Sequence, residues 1–407
     1  MKMKMMEKKL LFLILLIVSV TCRAQNLCGT FTGKLEVGAM KLTIVLNINA
    51  DGSATLESPD QTNQKIPATT DFLSADSVAV SVAMLRASYR GRLVGDELQG
   101  TFAQAGMSLP LTLKQGAMVR NRPQTPKAPF PYTTEEVTFR NERDSATLAG
   151  TLTVPGDLST GIVLLMVSGS GQQDRDEGLM GHRPFAVIAD YMARKGIATL
   201  RYDDRATGQS VGGDLTIATS EDFARDAAAG IDFLKKDKRF KRVGILGHSE
   251  GGTIAFMLGG KGLVDFIVSL AGPAVPGDSL LWKQVRALDP SSLSQTLTVA
   301  QVREQILTTN NPWLKYFMDY DPAENIRHTK CPVFAVNGTR DLQVDAEMNL
   351  SALRRLLSKN KRNTIKAYDG LNHLFQHCTT GMPTEYGDIE ETFAEEVLKD
   401  MAEWILR

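Results

Sequence analysis

The sequence predicts an α/β unit, a mostly parallel sheet with helices on both faces, preceded by a small all-β domain. Three observations carry this. Residues 27–115 break into short, evenly spaced, partly alternating runs separated by turn residues, as in a small antiparallel barrel or sandwich. From residue 135 onward, continuous apolar runs alternate with helical patterns, as in a parallel sheet covered on both faces. Between them, residues 116–134 carry Pro123, Pro126, Pro129 and Pro131 among polar and basic residues, the composition of a semi-extended linker.

The amino terminus reads as an address. Lys2, Lys4, Lys8 and Lys9 precede the apolar run Leu10–Val20, which is too short to span a bilayer comfortably. Cys22-Arg23-Ala24 forms a small-x-small site, so residues 1–24 are expected to be a signal peptide cut before Gln25. Export to the periplasm follows, with no stable membrane insertion. A lipoprotein anchored at Cys22 is the alternative, which Thr21 and Ser19 fit poorly. Beyond residue 24 stand 41 Lys and Arg against 45 Asp and Glu, a formal charge of −4. No large basic patch appears, so a nucleic-acid partner is not expected. Cys28, Cys331 and Cys378 remain after the cut. Three unpaired thiols are the simpler reading, with a Cys331–Cys378 bridge as the alternative. No C-x-x-C or H-E-x-x-H pattern is present, and the residues call for no metal or cofactor.

In the first domain the strand-like runs are Lys34–Val37, Lys41–Ile48, Ser53–Leu56, Ser77–Val82, Ala87–Val94, Glu97–Phe102 and Ser108–Leu113. Residues 1–181 contain no histidine, so this domain reads as an accessory module, or as one that binds substrate or glycan. In the second, Glu136–Arg140 and Thr147–Val154 resemble an opening hairpin, and Gly161–Val167 is a strand buried on both faces. A helical pattern at 184–195 leads to the strand Ile197–Tyr202. Residues 221–236 form an amphipathic helix with Phe223, Ala227, Ile231 and Leu234 on one side. Val243–Leu246, Val264–Leu270, Pro332–Val336 and Thr364–Tyr368 complete the sheet, and Phe393–Leu406 closes the chain as a helix. From about 273 to 330 the alternation breaks. This insertion suits a cap, and Trp313 and Phe317 are candidates for a substrate pocket; packing of the inserted helices explains most of its aromatics.

The run Val243–Leu246 leads into Gly247-His248-Ser249-Glu250-Gly251, a match to G-x-S-x-G, with Gly252 behind. A serine attacks a carbonyl only if its hydroxyl stands clear of the backbone. A strained strand-to-helix turn achieves this, with glycine where side chains would collide. The base must come from a loop at a strand's carboxyl end. His373 lies five residues past Tyr368, with His377 as runner-up; His248 should point away from the site, and His182 could line it. The acid that orients the base is expected at Asp341, in the turn after Pro332–Val336, with Asp345 as competitor. Ser249, Asp341, His373 is the chain order of a nucleophile-elbow hydrolase. Oxyanion donors are expected from the N–H groups of Glu250 and of Ser170, with Gly171 the alternative to the latter.

These residues resemble the α/β-hydrolase superfamily. Within it they look like bacterial secreted carboxylesterases of the EstD type, a group often labelled serine aminopeptidase-like hydrolases. The resemblance rests on SGSGQQDRDE (168–177), YDDRATGQS (202–210), GHSEGG (247–252), NPWLKYFMDYDP (311–322), NGTRD (337–341) and LNHLF (371–375). It implies an α/β-hydrolase fold and hydrolysis of small-molecule esters through Ser249, His373 and Asp341. Two departures stand out. Relatives usually have His-Gly where this chain has Ser168-Gly169, and a glycine where it has Ala206. Peptide hydrolysis by the same triad is the rival activity. It would need an acidic subsite for the substrate amine, for which Glu250, Asp174, Asp176 and Glu177 are available. A non-catalytic binding protein that keeps the fold is the rival from another class.

Overall fold

A computed structural model describes residues 27–38, 40–61, 65–117, 120–289 and 291–407. The expected signal segment 1–24, with Cys22 and the cut before Gln25, lies outside the described residues. The chain divides into two compact units, one ending at Val119 and the other beginning at Arg120.

The first unit contains β1 (Gly29–Val37), β2 (Met40–Ile48), β3 (Ser53–Glu57), β4 (Ile66–Leu73), β5 (Ser77–Val82), β6 (Ala87–Val94), β7 (Glu97–Gln104) and β8 (Met107–Gln115). They form a closed antiparallel barrel, sealed where Phe31 of β1 pairs with Gln115 of β8. Alternation fills its interior: Val78, Val80 and Val82 of β5 face inward beside Phe31, Leu46 and Phe102. Tyr89 is buried there too, and its hydroxyl donates to the Leu98 carbonyl at 2.8 Å, which offsets the cost of burying it. The sequence pattern misses β4. Only Ile66 of that strand is buried, and its register shifts between Thr70 and Phe72, so no two-residue apolar rhythm survives.

The second unit contains, in order, β9 (Tyr132–Asn141), β10 (Ala146–Pro155), β11 (Ile162–Val167), α1 (Pro184–Arg194), β12 (Ala198–Tyr202), α2 (Ser220–Lys236), β13 (Arg242–His248), α3 (Glu250–Gly260) and β14 (Phe266–Leu270). There follow α4 (Gly277–Leu288), α5 (Ser292–Thr296), α6 (Val299–Leu307), α7 (Pro312–Asp319), α8 (Ala323–His328), β15 (Val333–Gly338), α9 (Ala346–Leu356), β16 (Thr364–Tyr368) and α10 (Glu395–Leu406). The sheet order is β16-β15-β14-β13-β11-β12-β10-β9. Strands β11 to β16 run parallel, and β10 runs antiparallel to both its neighbours, β12 and β9.

The apolar run of β11 follows from its position. Val163, Leu165 and Val167 enter the core under α2, α3 and α9, while Ile162, Leu164 and Met166 enter the core under α1 and α10. Both faces are covered, so no position is free to be polar. The strand order reverses between β11 and β13, and Val167 pairs with Gly247. The loops after these two strands therefore leave the sheet side by side, at the switch point where open α/β sheets place ligands.

Part of the proline-rich segment is not a spacer. The Arg122 guanidinium donates to the carbonyls of Met180, Gly387 and Ile389, at 2.8, 2.7 and 2.9 Å. Gln124 exchanges hydrogen bonds with Thr392 and Phe393. These residues belong to the second unit, because their side chains find partners on the loop before α10 and at Met180. Cys331 and Cys378 are free thiols and are not bridged to each other. Among the described residues, no helix is long and apolar enough to cross a membrane.

Candidate active site

Ser249 sits between β13 and α3 with φ 52° and ψ −120°, a strained conformation for a residue with a side chain. The turn is held by the Ser249 N–H, which donates to the Leu270 carbonyl at 2.9 Å. Space explains the flanking glycines. A Cβ at Gly247 would lie 1.9 Å from the Gly251 carbonyl oxygen, and one at Gly251 2.1 Å from the Val167 carbonyl oxygen. The hydroxyl-bearing residue is half-buried, at the mouth of the crevice between β11 and β13.

The structure brings His373 and Asp341 together. His373 Nδ1 lies 2.8 Å from Asp341 Oδ2, and both side chains are buried. The other carboxylate oxygen, Oδ1, accepts the N–H groups of Gln343 and Val344, each at 2.8 Å. With both oxygens engaged, the carboxylate cannot rotate away from the ring. A carboxylate accepts, so Nδ1 carries the proton and Nε2 offers a lone pair. The loop carrying His373 is a tight turn. Asn372 Oδ1 accepts from Leu374 and Gln376, and Asn372 Nδ2 donates to Gln376 Oε1. The runners-up have other roles. Asp345 caps α9 by accepting from Met348 N–H at 2.8 Å, and His377 is an exposed residue beside Glu391 and Glu396. His182 does not line the site: it is buried, with Nδ1 on the Thr392 hydroxyl and Nε2 on the Tyr386 carbonyl.

The loop after β11 comes right up to the elbow. A Cβ at Gly169 would lie 3.1 Å from Ser249 Cβ. Glu250 is the first residue of α3, where a helix leaves its N–H groups without intrahelical partners. Ser170 and Gly171 line a cleft of about 670 Å³ together with Leu215, Phe223, Asn311 and Trp313, and no carboxylate lines it. Trp313 therefore faces the cleft, and its Nε1–H donates to Glu250 Oε1 at 2.8 Å. Phe317 does not line the cleft. One helical turn on, it stacks on Trp313 at 5.3 Å but sits deeper, against Leu280 of the cap and Val344 of the loop after β15. The Glu250 side chain is buried against Trp313 and the Ser220 hydroxyl. Burial raises its carboxyl above the usual range, against the opposing effect of those two bonds.

Two support groups are absent from the sequence expectation. The first is the carboxylate of Glu177, whose Oε1 accepts the Gly169 N–H at 2.7 Å and faces His248 Nδ1 at 2.8 Å. His248 points away from the cleft, as expected, but is not idle: its Nε2 lies 2.9 Å from the His373 carbonyl oxygen. The second is Asp204, which accepts from Gln173 N–H at 2.9 Å and from the Ser168 hydroxyl at 3.2 Å. Both carboxylates lie in stretches that carry the family resemblance, YDDRATGQS and SGSGQQDRDE, but their partners are 8 to 71 residues away in sequence. The four carboxylates weighed for an amine subsite do not converge. Glu177 serves Gly169 and His248, Asp176 pairs with Arg183 and Arg201, Asp174 accepts from Asp176 and Gly178, and Glu250 faces Ser220 and Trp313. Ala206 adopts φ 53°, the region glycine enters freely. Among the described residues, no group of three or more His, Cys, Asp or Glu side chains is placed to hold a metal ion.

A strained serine at a strand-to-helix elbow, at the switch point of a parallel sheet, is the arrangement of an α/β-hydrolase fold. Residues 181–329 match the family described as serine aminopeptidase, S33. The chain is similar to Esterase EstD of Thermotoga maritima, with 27% identity over 276 residues, 64% of this chain and 66% of that protein. The match thus leaves about a third of that relative uncovered. Similar solved structures include an esterase of Pyrococcus furiosus, 20% identical, covering 72% of this chain and 98% of that one with a TM-score of 0.47. The esterase domain of a Rhodothermus marinus protein is 18% identical, covering 68% and 98% with a TM-score of 0.43.

Proposed function

We propose that the protein is a serine hydrolase that cleaves small-molecule carboxylic esters, with short acyl chains, through an acyl-enzyme. The observation that carries this is the buried Asp341–His373 pair at 2.8 Å, in a chain whose elbow serine is held at φ 52°. In the proposed mechanism His373 Nε2 takes the proton of Ser249, whose oxygen adds to the ester carbonyl. Asp341 fixes the tautomer and stabilises the imidazolium that forms. The N–H groups of Glu250 and Ser170, or of Gly171 in place of the latter, receive the oxyanion. His373 then protonates the departing alcohol, and water, deprotonated by the same ring, releases the acid. Trp313 and Phe223 supply an apolar wall to the cleft, and Asn311 a polar one. The amino-terminal segment supports export to the periplasm.

The description of the matching family favours a second reading, hydrolysis of aminoacyl amides. Against it stands the absence of any carboxylate among the residues lining the cleft. Turnover of p-nitrophenyl acetate beside aminoacyl p-nitroanilides separates the two. The ester should be cleaved, the anilides left intact, and Ser249→Ala should lower ester turnover by several orders of magnitude. Faster cleavage of the anilides would replace this reading with the amidase.

A further inference from the structure

We propose that His248 is a doubly protonated imidazolium which, paired with Glu177, clamps the oxyanion loop, the elbow and the base-bearing loop together as a positioning device for the reaction proposed above. His248 Nε2 lies 2.9 Å from the His373 backbone carbonyl, which only accepts, so Nε2 carries a proton. His248 Nδ1 lies 2.8 Å from Glu177 Oε1, an oxygen that already receives the Gly169 N–H at 2.7 Å. A carboxylate oxygen also only accepts, so Nδ1 carries a proton as well. Both ring nitrogens donate, and the ring is a cation beside an anion.

The surroundings agree. Burial alone would depress the imidazole, but the charge and hydrogen bond of Glu177, the His373 carbonyl and the charge of Asp341 outweigh it and raise it. Glu177, His373 and Asp341 are the titratable groups around the ring. Its other neighbours, Phe185, Ile188, Leu270, Leu374, Phe375 and Phe393, are apolar. In this low-dielectric setting an ion pair whose spare lone pairs and protons are satisfied is hard to disturb. Glu177 holds its position with φ 51°, a left-handed conformation for a residue with a bulky side chain.

The three bonds join three loops: Gly169 after β11, His248 at the end of β13, and His373 after β16. The oxyanion donor and the base are thereby referenced to one rigid pair. The Glu177–His248 pair supplies support to the Ser168-Gly169 loop. Glutamine cannot replace Glu177 without loss. Its single carbonyl oxygen would have to take both donors while leaving the buried imidazolium without a counter-charge; with its amide turned inward it would meet the Gly169 N–H, donor against donor.

The test is long-range proton–nitrogen NMR of the full chain with ¹⁵N-labelled histidine at pH 8. One histidine should show two protonated ring nitrogens, and that signal should vanish in His248→Asn and persist in His377→Gln. If His248→Asn does not fold, Glu177→Gln serves instead, and should move the same signal. A ring bearing one proton at His248 overturns the proposal, whatever the activity. In Glu177→Gln, kcat should fall about ten- to a hundredfold with KM within about threefold, and a new ionisation should enter the pH profile. Unchanged kcat overturns the positioning role. Failure of the wild type to react with a fluorophosphonate at Ser249 would instead remove the hydrolase reading and leave the NMR result standing.

Discussion

Replacing Asp341 with asparagine removes one charge and moves almost no atoms. Asp341 Oδ1 accepts two backbone N–H groups, from Gln343 and Val344 at 2.8 Å each, and Oδ2 faces His373 Nδ1. The two backbone donors require an oxygen, so the carbonyl of the introduced amide must take the Oδ1 position and its NH₂ must point at His373. Two donors cannot face each other, so the ring changes tautomer, and its lone pair moves to Nδ1. Nε2 then bears a proton, and the base has nothing with which to accept the serine's. Fold and substrate binding survive while the chemical step does not. The expected loss in kcat is roughly a thousand- to ten-thousandfold, or about 4 to 5.5 kcal/mol of transition-state stabilisation. KM for p-nitrophenyl acetate should stay within about threefold, and the unfolding midpoint should be close to that of the wild type. A variant retaining more than a tenth of wild-type kcat would refute this assignment of the acid.

Two further expectations concern stability. Arg205 is fully buried and donates to Asp226 at 2.7 and 2.9 Å, to Asp144 at 2.9 Å and to the Asp222 carbonyl at 2.8 Å. Arg205→Met should destabilise the second unit by about 3 to 5 kcal/mol, because it strands the buried carboxylate of Asp226; urea unfolding that shifts by less than about 1 kcal/mol would contradict this. Burial lowers His182 to about 4, and the charges of Arg122 and Arg120 add to that against the Tyr386 carbonyl. Its folded value lies below its unfolded one, so its contribution is complete above about pH 6.5 and declines as pH falls towards 4. Between pH 7.5 and 5 this loss should come to about 2 kcal/mol, and His182→Gln should lose that much less over the same interval. Equal pH dependence in the two proteins would contradict the burial of a neutral ring.

The parts of the fold legible in the sequence are those governed by local rules. Val163, Leu164 and Leu165 announce a strand buried on both faces, because each face takes alternate residues. Gly247 and Gly251 announce the elbow, because the carbonyls of Gly251 and Val167 leave no room for a Cβ. Asp341 and His373 are legible from their places after β15 and β16, since parallel strands deliver such loops to one edge of the sheet. What stays hidden depends on contacts between distant segments. Nothing near Glu177 in sequence shows that its carboxylate meets His248, 71 residues on. Arg122 reads as a linker residue until the carbonyls of Met180, Gly387 and Ile389 are placed around it. Trp313 and Phe317 share one helix face, yet only the former reaches the cleft, because the latter packs on Leu280 and Val344. Strand β4 carries one buried residue, Ile66, so periodicity has nothing to register.

The proposed chemistry stands on Ser249 as the nucleophile. A fluorophosphonate probe, followed by mass spectrometry of the peptide containing residues 243–261, tests it directly. A single phosphonyl adduct on Ser249 is expected, formed rapidly in the wild type and lost in Ser249→Ala and, for want of a working base, strongly slowed in Asp341→Asn. An unlabelled Ser249 in a protein that still hydrolyses p-nitrophenyl acetate, or an adduct on another residue, would contradict it.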